Sequence, residues 1–84
     1  MTDSGFDERR MRWMSRRGMK ELDVLLAAYL DQRWPEAPAE EKAAFARLLE
    51  HQDPELWSWL SGQAEPGERE LADVVSWIRS SRPT

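Results

Sequence analysis

Apolar side chains recur along this chain at three- and four-residue spacings, and glycine and proline interrupt them. From Lys20 to Gln32, Leu22, Leu25, Leu26, Tyr29 and Leu30 fall on one face of a 3.6-residue helix, and Val24 and Ala28 widen the stripe. This segment is expected to be the central, most buried helix. Before it, Phe6 to Ser15 reads as a first helix, with Met11 and Met14 on one face and a mixed stripe of Phe6, Arg10, Trp13 and Arg17. Gly18 is expected to end that helix in a left-handed conformation. Trp34-Pro35 closes the second helix, because proline disfavours a helical residue before it. Pro35 to Pro38 reads as a linker.

A third helix is expected over Ala39 to Glu50, burying Ala44, Phe45, Leu48 and Leu49 and turning Glu40, Glu41, Lys42 and Arg47 to water. After a short turn at His51-Gln52, Asp53-Pro54-Glu55 has the composition of a helix start, with Asp53 as the cap and Pro54 in the first turn. The fourth helix, Pro54 to Ser61, is aromatic nearly all round, and Gly62 stops it. A loop from Gln63 to Gly67 leads to a fifth helix, Glu68 to Ser80, whose face is Leu71, Val74, Val75 and Ile78 with Trp77 beside it. No window alternates as a strand does. The pattern predicts an all-α fold, a small five-helix bundle in a single domain spanning residues 1–84, with residues 1–5 and 81–84 flexible.

Composition narrows the chemistry. Eighty-four residues bury only about 60–65% of their unfolded surface, so five tryptophans must supply much of the core. The absence of cysteine removes disulfides and thiolate sites, and a single histidine, His51, removes a multi-histidine metal site within one chain. The net charge of −4 divides into a basic head, Phe6 to Lys20, and an acidic body beyond Trp34. The acidic body argues against nucleic-acid binding, because phosphate contacts need an uncountered cationic face. A helix-turn-helix is disfavoured too: the second helix offers Leu22, Val24, Leu25, Leu26 and Ala27 where base-reading polar residues would stand. No apolar run approaches the roughly 18–20 residues of a membrane span. The N-terminus shows neither a secretory signal nor a transit peptide, so a cytoplasmic location is expected.

Catalytic motifs are missing. Glu21 and Asp23 sit at i,i+2 and point apart on a helix; Ser58 or Ser61 with His51 forms no triad; no glycine-rich phosphate loop occurs. His51 reads as a surface or capping histidine, and Trp57 and Trp59 read as core.

The stretch Arg16-Arg17-Gly18-Met19-Lys20-Glu21-Leu22-Asp23 is richer than a turn requires. Its plain reading is a glycine turn whose arginines complement a helix dipole and pair with Glu21. Its functional reading is a recognition patch of Arg16, Arg17, Gly18, Met19, Lys20, Glu21 and Asp23. There an arginine fork binds carboxylate or phosphate, Gly18 admits a partner backbone, and Glu21 orients Arg17 or meets a partner donor.

Arg17-Gly18-Met19-Lys20-Glu21 is an Arg-Gly-x-x-Glu motif and resembles the signature of the SdhE family, the succinate dehydrogenase flavinylation (FAD assembly) factors. The resemblance continues through Trp13, Glu41-Lys42, Phe45 to Glu50 and Asp53 to Leu60, and covers roughly Arg10 to Ile78. It implies a five-helix bundle that is not an enzyme. Such a protein is an assembly chaperone binding the flavoprotein subunit of succinate dehydrogenase, and in some bacteria of fumarate reductase, to promote covalent attachment of FAD to a histidine there. Arg17, Gly18 and Glu21 match the family's functional motif, with Arg16 and Asp23 as neighbours. No tightly bound cofactor, no nucleic-acid partner, no direct membrane insertion and a monomeric state are expected. Rival readings are a carrier of free FAD, with the arginines on its pyrophosphate, and an interaction module with an unrelated partner.

Overall fold

A computed structural model describes residues 7–81. Five α-helices follow one another: α1 (Glu8–Met14), α2 (Lys20–Gln32), α3 (Ala39–Leu48), α4 (Asp53–Leu60) and α5 (Arg69–Ser80). No strand occurs among the described residues. The expected all-α bundle is therefore the fold, and α2 has the expected bounds. Residues 1–6 and 82–84, whose flexibility the sequence suggested for the most part, lie outside the described residues. Ser81 does not fray: it is buried, and its hydroxyl donates to the Trp77 carbonyl at 3.0 Å. No helix among the described residues is long and apolar enough to cross a membrane.

The core collects the predicted stripes. Leu22, Leu26, Tyr29 and Leu30 of α2 meet Phe45 and Leu48 of α3, Leu56 and Leu60 of α4, and Leu71, Val74, Val75 and Ile78 of α5. Tyr29 stacks on Phe45 with centroids 4.7 Å apart, and Trp34 meets the same ring edge-on at 5.6 Å. Trp34 belongs to a 3₁₀ turn, Trp34–Glu36, whose last two residues fall in the stretch Pro35 to Pro38 read as a linker. Proline stops the α-helix there, yet three residues of tighter helix bury the indole. Of the two α4 tryptophans, Trp59 is core and Trp57 only half-buried.

Gly62, at φ +90°, ends α4 as the sequence predicts. The Gly62 and Gln63 amides donate to the Trp59 and Ser58 carbonyls at 3.2 and 2.9 Å, the paired bonds of a Schellman motif.

One expectation fails on α3. Glu41 does not face water; its side chain is 9% exposed. Its carboxylate accepts the Tyr29 hydroxyl at 2.6 Å and the Arg33 guanidinium at 2.8 Å. The Arg33 guanidinium also lies 3.6 Å from the centre of the Trp77 ring. Burial alone would push the Glu41 carboxyl up, but the hydrogen bonds from Arg33 and Tyr29 outweigh it and hold the group below its ordinary value. Burial, then the bond to Glu41, pushes the Tyr29 phenol up. A carboxyl depressed in the folded state adds stability that is complete above its unfolded value and is lost as pH falls through the folded one. Urea titrations should thus show Glu41→Gln less stable than wild type by about 1–3 kcal/mol at pH 7. The gap should narrow as pH falls below about 4.5, the ordinary glutamate value.

Candidate functional site

The α1–α2 connection is built from its charges outward. α1 starts at Asp7, whose carboxylate caps the Arg9 amide at 3.1 Å. It ends at Met14, earlier than expected, because the buried Ser15 takes the C-cap: its amide donates to the Met11 carbonyl and its hydroxyl to the Arg12 carbonyl. Gly18 has the expected left-handed conformation, φ +88°, but does not cap α1. It reverses the chain between Ser15 and Met19, the residue preceding α2. A Cβ at Gly18 would meet nothing within 4 Å, so that face is open.

Arg17 does not pair with Glu21. Its side chain, 15% exposed, turns inward across the bundle. Nε donates to Asp53 Oδ1 at 2.6 Å, Nη1 to the Leu49 carbonyl at 2.9 Å and the Met14 carbonyl at 3.3 Å, and Nη2 to the His51 carbonyl at 2.6 Å. Met14 ends α1, Leu49 caps α3 and His51 lies just past it. One guanidinium thus satisfies carbonyls left without helical partners at two C-termini, where a cation is also favoured by the dipole. The Arg17 amide donates to Asp23 Oδ1 at 2.8 Å, tying the connection to the first turns of α2.

Asp53 is correspondingly not a helix cap. Gln52 holds the cap position without a side-chain bond, and Asp53 is the first helical residue. Its carboxylate instead accepts from the Arg17 guanidinium, an ion pair rather than a bond to a backbone amide. His51 is half-exposed; its Nδ1 lies 2.9 Å from Glu55, and its ring meets Trp59 edge-on at 5.0 Å.

The seven residues singled out in the sequence therefore divide. Arg17, Met19 and Asp23 are half-buried and hold the turn: the first two by their inward packing, Asp23 through the Arg17 amide. Arg16, Gly18, Lys20 and Glu21 are exposed, and the three charged side chains have no partner among the described residues. They present two cations and one carboxylate around an open glycine.

Beside them runs a feature the sequence reading missed. Lys20, Glu21, Val24, Leu25 and Trp57 line an open groove of about 460 Å³ between α2 and α4, with an apolar floor. Val24 is 38% exposed. The apolar positions of α2 cover more than one face of the helix, an excess that pointed to this surface. On α1, Trp13 is 75% exposed, and its carbonyl accepts the Arg16 amide. The mixed stripe expected with it is split: Arg10 and Trp13 face out, Arg17 turns in, and Phe6 lies outside the described residues.

The chain is similar to known proteins over most of its length. The family described as "Flavinator of succinate dehydrogenase" matches residues 9–82. A protein of Idiomarina loihiensis named FAD assembly factor SdhE is 43% identical over 74 residues, 88% of this chain and 82% of the relative. Proteins of the same name from Legionella pneumophila (strain Paris) and Yersinia pseudotuberculosis are 42% and 41% identical over 74 and 71 residues. These alignments span 88% and 84% of this chain, and 92% and 81% of the relatives.

The division of the turn has a measurable consequence for stability. Thermal melts should show Arg17→Ala destabilised by about 2 kcal/mol, the scale of lost charge-assisted hydrogen bonds, which is about 8–16 °C for a domain this size. Arg17→Lys should not restore it, because an ammonium cannot reproduce the planar fork. Arg16→Ala and Lys20→Ala should each lie within about 0.5 kcal/mol of wild type.

Proposed function

Because the chain belongs to the family of succinate dehydrogenase flavinators, we propose that it is an assembly factor. It binds the flavoprotein subunit of succinate dehydrogenase and promotes the covalent attachment of FAD there. One observation carries the placement of the site: Arg16, Gly18, Lys20 and Glu21 project from a turn clamped from behind, the three charged side chains without partners among the described residues, next to an apolar groove. Exposed charges at the rim of an apolar floor suit a protein surface, where the floor supplies burial and the rim supplies register.

The chain acts on the flavoprotein without being its catalyst. Gly18 admits a partner backbone, Arg16 and Lys20 meet its acidic groups, and Glu21 meets a donor. Arg17 works from the rear by holding the turn. Binding then favours the flavoprotein arrangement competent for flavin attachment, which requires tighter binding to that arrangement than to others. Moving a population from 1:99 to 99:1 needs a preference of about 10⁴-fold. The same surface serves the flavoprotein of fumarate reductase where a cell makes one. The factor works in the cytoplasm as a monomer, holds no tightly bound cofactor, and leaves FAD to its partner. A free-FAD carrier is less well supported, since the guanidinium of Arg17 is already committed to four intramolecular bonds.

A deletion strain complemented with variants tests this, with in-gel fluorescence of covalent flavin at the flavoprotein's mass as the readout. The band should fade on deletion and return with wild type. Gly18→Arg should leave it weak while the purified variant stays folded: the left-handed conformation costs about 1–2 kcal/mol, and the space is open. Glu21→Ala should reduce it as well, by about tenfold for a loss of 1.4 kcal/mol in binding. A band unchanged by deletion would refute the function; a normal band with Gly18→Arg would refute the site. Val24→Asp, placing a charge over the groove floor, should weaken flavoprotein capture by the purified factor without unfolding the bundle.

A further inference from the structure

We propose that Asp53, at the start of α4, is a positioning residue of the flavoprotein-docking surface, acting through Arg17 although it is remote from the turn in sequence. The inference rests on the docking reading above. Asp53 lies 36 residues from Arg17, and its carboxylate is the only anionic partner of that guanidinium among the described residues. The other three acceptors are backbone carbonyls. They carry no net charge, whereas Asp53 brings a full negative charge on α4, which is packed into the core through Leu56, Trp59 and Leu60. Of the bonds holding the turn, the one to Asp53 therefore links it by charge to a rigid element.

Asp53 also stands at i,i−4 from Trp57, on the same face of α4. Trp57 forms one wall of the apolar groove, and Lys20 and Glu21 form its rim. One helix face thus supplies both the groove wall and the anchor that sets where the rim stands. The ion pair fixes the register between Gly18–Glu21 and Trp57, so the charged rim and the apolar floor are offered to a partner as one surface. Asp53 is free for this task because α4 begins without a side-chain cap.

A structural role alone would lower affinity only by unfolding the bundle, so the test separates stability from geometry. Affinity for purified flavoprotein subunit lacking covalent flavin is measured for wild type, Asp53→Asn, Arg17→Ala, the double variant and Asp53→Glu, below all melting temperatures. Val75→Ala, a core change in α5, serves as the stability control. Asp53→Asn should weaken binding about tenfold, or 1.4 kcal/mol. Asp53→Glu should recover most of it, and Val75→Ala should bind as wild type does. The double variant should be no weaker than Arg17→Ala, because both changes release the same clamp. In the free protein, the Gly18, Lys20 and Glu21 amide resonances should shift, and their hydrogen exchange should quicken, in Asp53→Asn but not in Val75→Ala.

Multiplying losses in the double variant would mean that Arg17 contacts the partner itself, and would overturn the proposal. So would wild-type affinity in Asp53→Asn, or equal losses in Asp53→Asn and Val75→Ala. If wild type failed to bind the flavoprotein, the docking reading would fall; unchanged turn amides in Asp53→Asn would independently remove the positioning role.

Discussion

A single guanidinium reaches three helix ends in this bundle. Arg17 sits between the C-terminus of α1, the C-terminus of α3 and the first residue of α4, and bonds to all three. Helix ends leave carbonyls that need donors, and their dipoles leave partial negative charge. A planar cation with donors on three nitrogens answers both needs where short helices converge. In a domain of this size, with little core to spare, such a junction, together with the Asp23 bond and the packing of Met14 and Met19, holds the α1–α2 turn.

The clamp changes how the Arg-Gly-x-x-Glu signature is understood. Its arginine, glycine and glutamate divide the work by orientation. Arg17 faces the bundle and restrains; Gly18 and Glu21 face solvent. Arg16, which the motif does not include, has an exposed guanidinium with no partner among the described residues. On the proposed reading, a surface that favours one arrangement of a larger partner has to be stiff, because a turn that reshaped itself around every arrangement would show no preference among them. Rigid support behind exposed charges also lowers the entropy lost on docking.

The second polar cluster, Tyr29–Glu41–Arg33 with Trp77, works by a similar logic on another part of the bundle. A carboxylate drawn out of water is tolerated because two donor groups meet it, one of them a cation. It fixes α3 against the end of α2 beside the stacked Tyr29 and Phe45 rings. Both clusters use an arginine to join chain segments that apolar packing alone would let slide.

Helix positions were legible in the sequence because they depend on local periodicity and on breakers. The stripe of α2, the stop at Gly62 and the face of α5 each follow from residues within a turn or two of one another. The prominence of residues 16–23 was legible too, since charge and glycine density are read directly along the chain. What stayed hidden were the partners of charged side chains. Arg17 had a carboxylate four residues away in Glu21, yet the structure gives it Asp53; Glu41 had water nearby, yet it meets Tyr29 and Arg33. Periodicity ranks positions on a helix but does not say which helix ends will meet. Ion pairing depends on those meetings, and they exist only once the core has brought α1, α3 and α4 together.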